Sequence, residues 1–277
     1  MDAQTRARYE AWKRERIRRR IIYPSICFCA FLLLLIVTTI VLGNRNEEDI
    51  DENLVVEQQE IKIIPTISDM DPVVYIFNSH PLEMIASTHE NLFVGDMSIV
   101  EVSHMLARRF EYHGLPTLVE GRCVDAKLHH LNWEFYMSFY AAREFLLDAK
   151  NRYSSLEFFI DLHRDGVPHR YATVEIDGVN YARILFVIGA ENPLGYAESY
   201  RVARELHEML EQVKPGISRG PFFSSGWGRD GLYNQDLSPM VQLIEVGTVD
   251  STVEEISRTI DVLAEILAMY ILDFDRE

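Results

Sequence analysis

"LEFFIDLH", residues 156–163, is the stretch on which the reading of the whole chain turns. It is a short, nearly unbroken apolar run of strand length, which predicts a buried β-strand. It runs into an imidazole, His163, followed at once by Arg164 and Asp165. Side chains alternate along a strand, so Asp161, His163 and Asp165 project to one side. A carboxylate then flanks the ring in either direction, and one of the two can accept its free N–H. Arg164 falls on the opposite face, or at the mouth if the strand has ended, where it can hold substrate carboxylates or carbonyls. The alternative for Arg164 is an ion pair with Asp165 that pins the loop. His169 is expected in solvent.

Outward from this strand the pattern alternates. "PVVYIFNSH" (72–80), "LPTLVE" (115–120) and "MVQLIEVG" (240–247) read as strands. Ser98 and Glu101 form a capping box for a helix that Gly114 stops. Residues 132–151 have helical spacing, with Phe135, Phe139, Ala142 and Leu146 on one face. Residues 172–189 read as two strands turning at Asp177-Gly178. An amphipathic helix spans 197–213 and closes at Pro215-Gly216, and Ser251 with Glu254 caps a last helix to about residue 272. Such alternation predicts an α/β domain with a largely parallel central sheet flanked by helices. Between them, residues 216–238 form a long loop, and loops of that length are usually functional or mobile. Its Phe222, Phe223, Trp227 and Tyr233 either stack on a ligand or pin the loop to the core.

Charge divides the chain. Residues 1–20 hold eight of the 27 Lys/Arg and three of the 43 Asp/Glu, so the rest has 19 basic against 40 acidic residues. A surface that acidic disfavours a nucleic-acid partner. Residues 21–43 are 23 positions without a charge, the length of a transmembrane helix. The basic "KRERIRRR" (13–20) before them predicts a cytoplasmic tail, so 44–277 lie outside. Residues 44–70 are acidic and lack glycine, a stalk, and 71–277 form the extracytoplasmic domain. Cys27 and Cys29 fall in the membrane segment, which leaves Cys123 without a partner for a disulfide in that domain.

Three predicted strand ends carry acid–base or ligand groups: His80 and Glu83 after the first, His163 in the central one, Glu245 in the last. Ligands of open α/β sheets gather beyond the carboxyl ends of strands. Two imidazoles and a carboxylate are a ligand set for catalytic zinc, with the fourth position left to water. A further carboxylate, Glu245, can then move that water's proton. The "HRD" triplet is no kinase loop: Arg170 stands where that motif needs Asn, and no Gly-rich phosphate loop precedes it. A zinc peptidase, or an inactive binding subunit of a membrane complex, are the rival readings.

"VYIFNSHPLE" (74–83), "FFIDLHRD" (158–165), "FVIGAENP" (186–193) and "YNQDLSPMVQLIEVG" (233–247) with "TVEE" (252–255) resemble the stage II sporulation protein P family. The resemblance implies a zinc amidase fold of the phosphorylase/hydrolase kind. It also implies zinc-dependent hydrolysis of the bond between N-acetylmuramic acid and L-alanine in peptidoglycan, during septal wall remodelling in sporulation. A single membrane anchor, a lytic transglycosylase partner and a multi-span membrane scaffold belong to the same implication. Carried over, His80, Glu83 and His163 are metal ligands and Glu245 is the catalytic glutamate. The family's first motif often reads H-T-H-T-T-E, whereas this chain has Asn78-Ser79-His80-Pro81-Leu82-Glu83. Glu90 is the alternative acidic ligand should Glu83 point away.

Overall fold

The computed structural model describes residues 70–86 and 95–274. The predicted tail, membrane segment and nearly all of the stalk lie outside these residues, as does Glu90. Among the described residues no helix is long and apolar enough to cross a membrane.

In chain order the elements are β1 (Val74–Phe77), β2 (Met84–Ile85), β3 (Met97–Ser98), α1 (Ile99–Tyr112), β4 (Thr117–Val119), α2 (Val124–Leu131), α3 (Ser138–Arg152) and β5 (Phe158–Asp165). There follow α4 (His169–Ala172), β6 (Thr173–Ile176), β7 (Val179–Ala182), β8 (Ile184–Gly189), α5 (Ala197–Val213), β9 (Ser218–Ser224), β10 (Val241–Thr248) and α6 (Val253–Phe274). Six strands form the main sheet in the order β4-β1-β5-β10-β8-β9. Every neighbouring pair is parallel except β10 with β8.

Parallel strands need helices on both faces, and alternation along each strand sorts its side chains accordingly. Val74 and Ile76, Phe158, Ile160 and Leu162, and Ile244 and Val246 join the core that contains α1, α5 and α6. Tyr75, Phe77, Phe159 and Val241 pack with α2 and α3 instead. Ile160 and Ile244 have no exposed surface, and burying each side chain contributes roughly 1.5–3 kcal/mol. The same alternation puts Asp161, His163 and Glu245 on the α3 face.

Several expectations shift. The strand at 156–163 starts at Phe158 and runs on to Asp165. Residues 172–189 give three strands: β6 and β7 make a separate hairpin turning at Asp177-Gly178, both with positive φ, and β8 joins the main sheet. The predicted loop 216–238 contributes the edge strand β9. The helix foreseen over 132–151 begins at Ser138 after a 3-10 turn, Phe135–Met137. Its buried stripe is therefore Ser138, Ala141, Ala142, Phe145, Leu146 and Ala149, and Phe135 stands outside it, exposed. The last capping box is Thr252 with Glu255, one residue beyond the predicted pair, because the helix begins at Val253. Ser251 Oγ accepts the N–H of Thr248 instead. The short α2 was not foreseen: only Val124 and Leu128 of it are buried, too few to show a period. The Ser98–Glu101 box is formed as read.

Candidate metal centre

The site is assembled where β1, β5 and β10 end. Asp161 pairs in register with Phe77, and Glu245 with His163. After Phe77 the chain leaves the sheet, and Asn78 secures its exit by donating to the Leu162 carbonyl (2.6 Å) and accepting from Ser103 Oγ (3.1 Å). The residue in place of the family's first histidine thus has a structural task. Ser79 N–H donates to Asp161 (2.8 Å), which carries His80 to a point beside His163, their ring centroids 4.9 Å apart. A turn closed by Glu83 N–H on the His80 carbonyl then folds the Glu83 carboxylate back between the two rings. On β10 the register slips just after Glu245. Gly247, with φ +63°, allows it: a Cβ there would meet Ser251 Oγ at 2.6 Å.

Glu83 faces both imidazoles. Its Oε1 lies 3.5 Å from His80 Nδ1 and its Oε2 lies 3.4 Å from His163 Nδ1. The opposite ring nitrogens are engaged: His80 Nε2 with Ser138 Oγ (3.0 Å), His163 Nε2 with Asp161 Oδ1 (3.0 Å) and Ser79 Oγ (2.9 Å). Of the two carboxylates predicted to flank His163, Asp161 is therefore the partner. Asp165 pairs with Arg219. A carboxylate such as Asp161 can only accept, so Nε2 of His163 carries a proton and Nδ1 is the nitrogen turned to Glu83.

The ligand atoms of His80, Glu83 and His163 all lie within 4.8 Å of one another. Yet 3.4–3.5 Å is longer than a charge-assisted hydrogen bond, about 2.7–2.9 Å. Nitrogen lone pairs and carboxylate oxygens thus converge without closing on each other, and either protons or a shared cation must balance them. Two imidazoles with a carboxylate, each ring oriented by a hydrogen bond on its far nitrogen, suit a divalent metal.

In the absence of a cation, protons supply that balance. Burial alone would raise Glu83, but the charge of His163 first, and then the closeness of both imidazoles, outweigh it and hold the carboxyl far below its usual range. Burial likewise disfavours charge on His163, and Asp161 and Glu83 reverse that, raising it well above its ordinary value. Glu245 behaves oppositely. Burial first, then the charge of Asp165, pushes it up to about 8, against the pull of His163.

Around this centre opens a cleft of about 780 Å³ that includes His80, Glu83, His163 and Glu245. Arg164 lines it too, with much of its hydrogen bonding committed: its backbone N–H donates to Glu83 (3.0 Å), Nε to the Met84 carbonyl (3.2 Å) and Nη1 to the Asp165 carbonyl (3.3 Å). The alternative Arg164–Asp165 ion pair is not formed, because Arg219 takes that carboxylate. His169, expected in solvent, is half-buried against Glu255 (3.0 Å). The loop aromatics divide. Tyr233 is buried in a small core with Leu185, Val187 and Leu243, and Phe223 packs on Tyr200. Phe222 and the fully exposed Trp227 border the cleft. Sequence reasoning missed Ser138, Phe135 and Arg219. Ser138 lies 58 positions from the ring it orients, and no local pattern joins them.

Fold and cluster together define a class: an α/β domain with a candidate metal site at the carboxyl ends of its central parallel strands. Residues 40–268 match the family model for stage II sporulation protein P, and the chain belongs to that family. It is 30% identical over 210 residues to stage II sporulation protein P of Bacillus subtilis (strain 168), an alignment covering 74% of this chain and 52% of the relative. The chain thus spans about half the length of the curated relative it matches. Among solved structures, a metallo-carboxypeptidase from Burkholderia cenocepacia is similar at 11% identity and a TM-score of 0.42, over 76% of this chain and 60% of that one. So loose a likeness carries no chemistry across.

Proposed function

We propose that this chain is a membrane-anchored, zinc-dependent hydrolase of peptidoglycan that cleaves the amide between N-acetylmuramic acid and L-alanine, in septal wall remodelling during sporulation. The observation that carries the reading is the convergence of His80, Glu83 and His163 within 4.8 Å, with Glu245 in register beside His163. Membership of the sporulation family supports the substrate.

His80 and His163 would hold the metal through Nδ1, and Glu83 through its carboxylate. Bound zinc supplies a Lewis acid and lowers the pKa of its water to about 7. Ser138 and Asp161 orient the two rings. Glu245, whose ordinary acidity is lost to burial, takes the proton from the attacking water and delivers it to the leaving nitrogen. A cation at the neighbouring ligands would favour its ionised form. Arg164 steadies Glu83 and β2 from the wall of the cleft, where it also meets the substrate.

The uncharged run at 21–43 would anchor the chain, leaving residues 71–277 at the wall beside a lytic transglycosylase and a multi-span scaffold. Digestion of purified sacculi by the full chain with zinc tests the activity. Mass spectrometry should find sugar strands freed of peptide and intact stems; shortened stems still attached to glycan would sink the amidase assignment.

A further inference from the structure

The walls of the cleft differ in chemistry. On one side Phe139 lines it, edge-on to the His80 ring at 5.2 Å; beyond the rim Phe135 stacks on the other side of that ring at 4.7 Å, and Tyr136 and Tyr140 are exposed. Arg143, one turn along the same helix from Phe139, is closed onto Asp236 by two hydrogen bonds of 2.7 and 2.8 Å. The other side, β9 and the loop after it, carries Arg219 and Arg229. Arg219 is paired with Asp165. Arg229 lies 5.7 Å over the Phe222 ring and donates to Ser224 Oγ (3.2 Å), and among the described residues it has no carboxylate partner.

Two acidic side chains of the same loop region, Asp230 and Glu191, each turn an oxygen to backbone N–H groups. Asp230 accepts the N–H groups of Leu232 and Tyr233, and Glu191 that of Gly226 at 2.7 Å. These bonds also hold the loop in place. It packs so closely on β8 that a Cβ on Gly189 would meet the Gly231 carbonyl at 2.6 Å. Arg229 is therefore presented to the cleft from a fixed loop, with most of its five donors unspent.

We propose that Arg229 is a carboxylate-binding residue, which receives an acid group of the stem peptide. The substrate then lies in one direction, its acidic peptide towards β9 and its neutral sugars over Phe135 and Tyr136. The substrate class rests on the preceding reading.

The test is direct binding. The full chain carrying Glu245→Gln, so that nothing is consumed, is titrated by calorimetry with a synthetic stem peptide bearing free carboxylates, and with the same peptide amidated at each. Amidation is expected to weaken binding about tenfold, the scale of one charge-assisted contact. Adding Arg229→Gln should weaken the acidic peptide by a similar factor and erase the difference between peptides, while Arg229→Lys should keep part of it. Equal binding of the two peptides, an unchanged ratio in the Gln variant, or no binding of either overturns the proposal. Product analysis of sacculi is independent. Shortened stems there would remove the amidase reading while the carboxylate preference stood.

Discussion

Two clusters of ionisable side chains sit at the ends of neighbouring strands, and they have opposite characters. Beyond β4, Arg122 forks onto Glu120 (2.8 and 2.7 Å), reaches Asp148 (2.7 Å) and lies 4.3 Å over Phe145, while Tyr75 hydroxyl donates to Glu120. Each charge there has met its counterpart. Beyond β1 and β5, His80, Glu83 and His163 face one another at 3.4–3.5 Å without closing, and Glu245 opposite them has been pushed to about 8, by burial above all. A cluster that satisfies itself stabilises the fold. A cluster that converges and stays open is a candidate for holding something that is not protein.

Variants can break that contrast. The largest effect is expected of His163→Ala, which removes a ligand: bound zinc should fall from near one per chain to near zero, and hydrolysis with it. In the unaltered chain a chelator should lower Tm, because a metal that binds only the folded state stabilises it; the variant should show no response. If elemental analysis finds metal retained in His163→Ala, the ligand assignment fails. Glu245→Gln should lower kcat about 10²- to 10⁴-fold, the range for a positioned acid–base group, with zinc content unchanged. Metal lost along with activity would make Glu245 a ligand instead.

Asp161→Ala and Ser138→Ala remove these partners from the far nitrogens of the two rings. Each should weaken zinc affinity about 10- to 100-fold, measured by competition with a chromophoric chelator, and an unaltered affinity would deny them an orienting role. Arg122→Ala is the control from the closed cluster. It strips Glu120, whose side chain is only 9% exposed, of its main partner, and should cost about 1–3 kcal/mol in urea unfolding. Zinc content should not move. A loss of zinc in this variant would mean that the two clusters are coupled, and that the division into stabilising and open sites is wrong.

Much of the fold was legible because it rests on local rules. The Ser98–Glu101 box and the helix Ala197–Val213 stand as read, since capping and period are short-range properties. The errors fell where local signals compete. Thr252 and Ser251 are both adequate caps, and the start of α6 at Val253 chose Thr252. Phe135 fits the stripe of the α3 helix by spacing, but the 3-10 turn takes it out of the helix and leaves it on the His80 ring. β9 is hidden in a run of Gly, Pro and Ser because an edge strand is set by its neighbour β8 rather than by its own propensity.

The sequence by itself determined which side chains were available: two histidines and a glutamate at predicted strand ends, a second glutamate in an apolar strand, and alternation that turned Asp161, His163 and Asp165 one way. Only the tertiary structure decided their use. Strand order put Glu245 beside His163, the turn after β1 placed Glu83 between the rings, and Asp161 rather than Asp165 became the partner of His163. The reason is physical: alternation and capping act between residues a few positions apart, whereas a shared ligand centre depends on how separate strands are registered, and that is settled by the packing of the whole sheet.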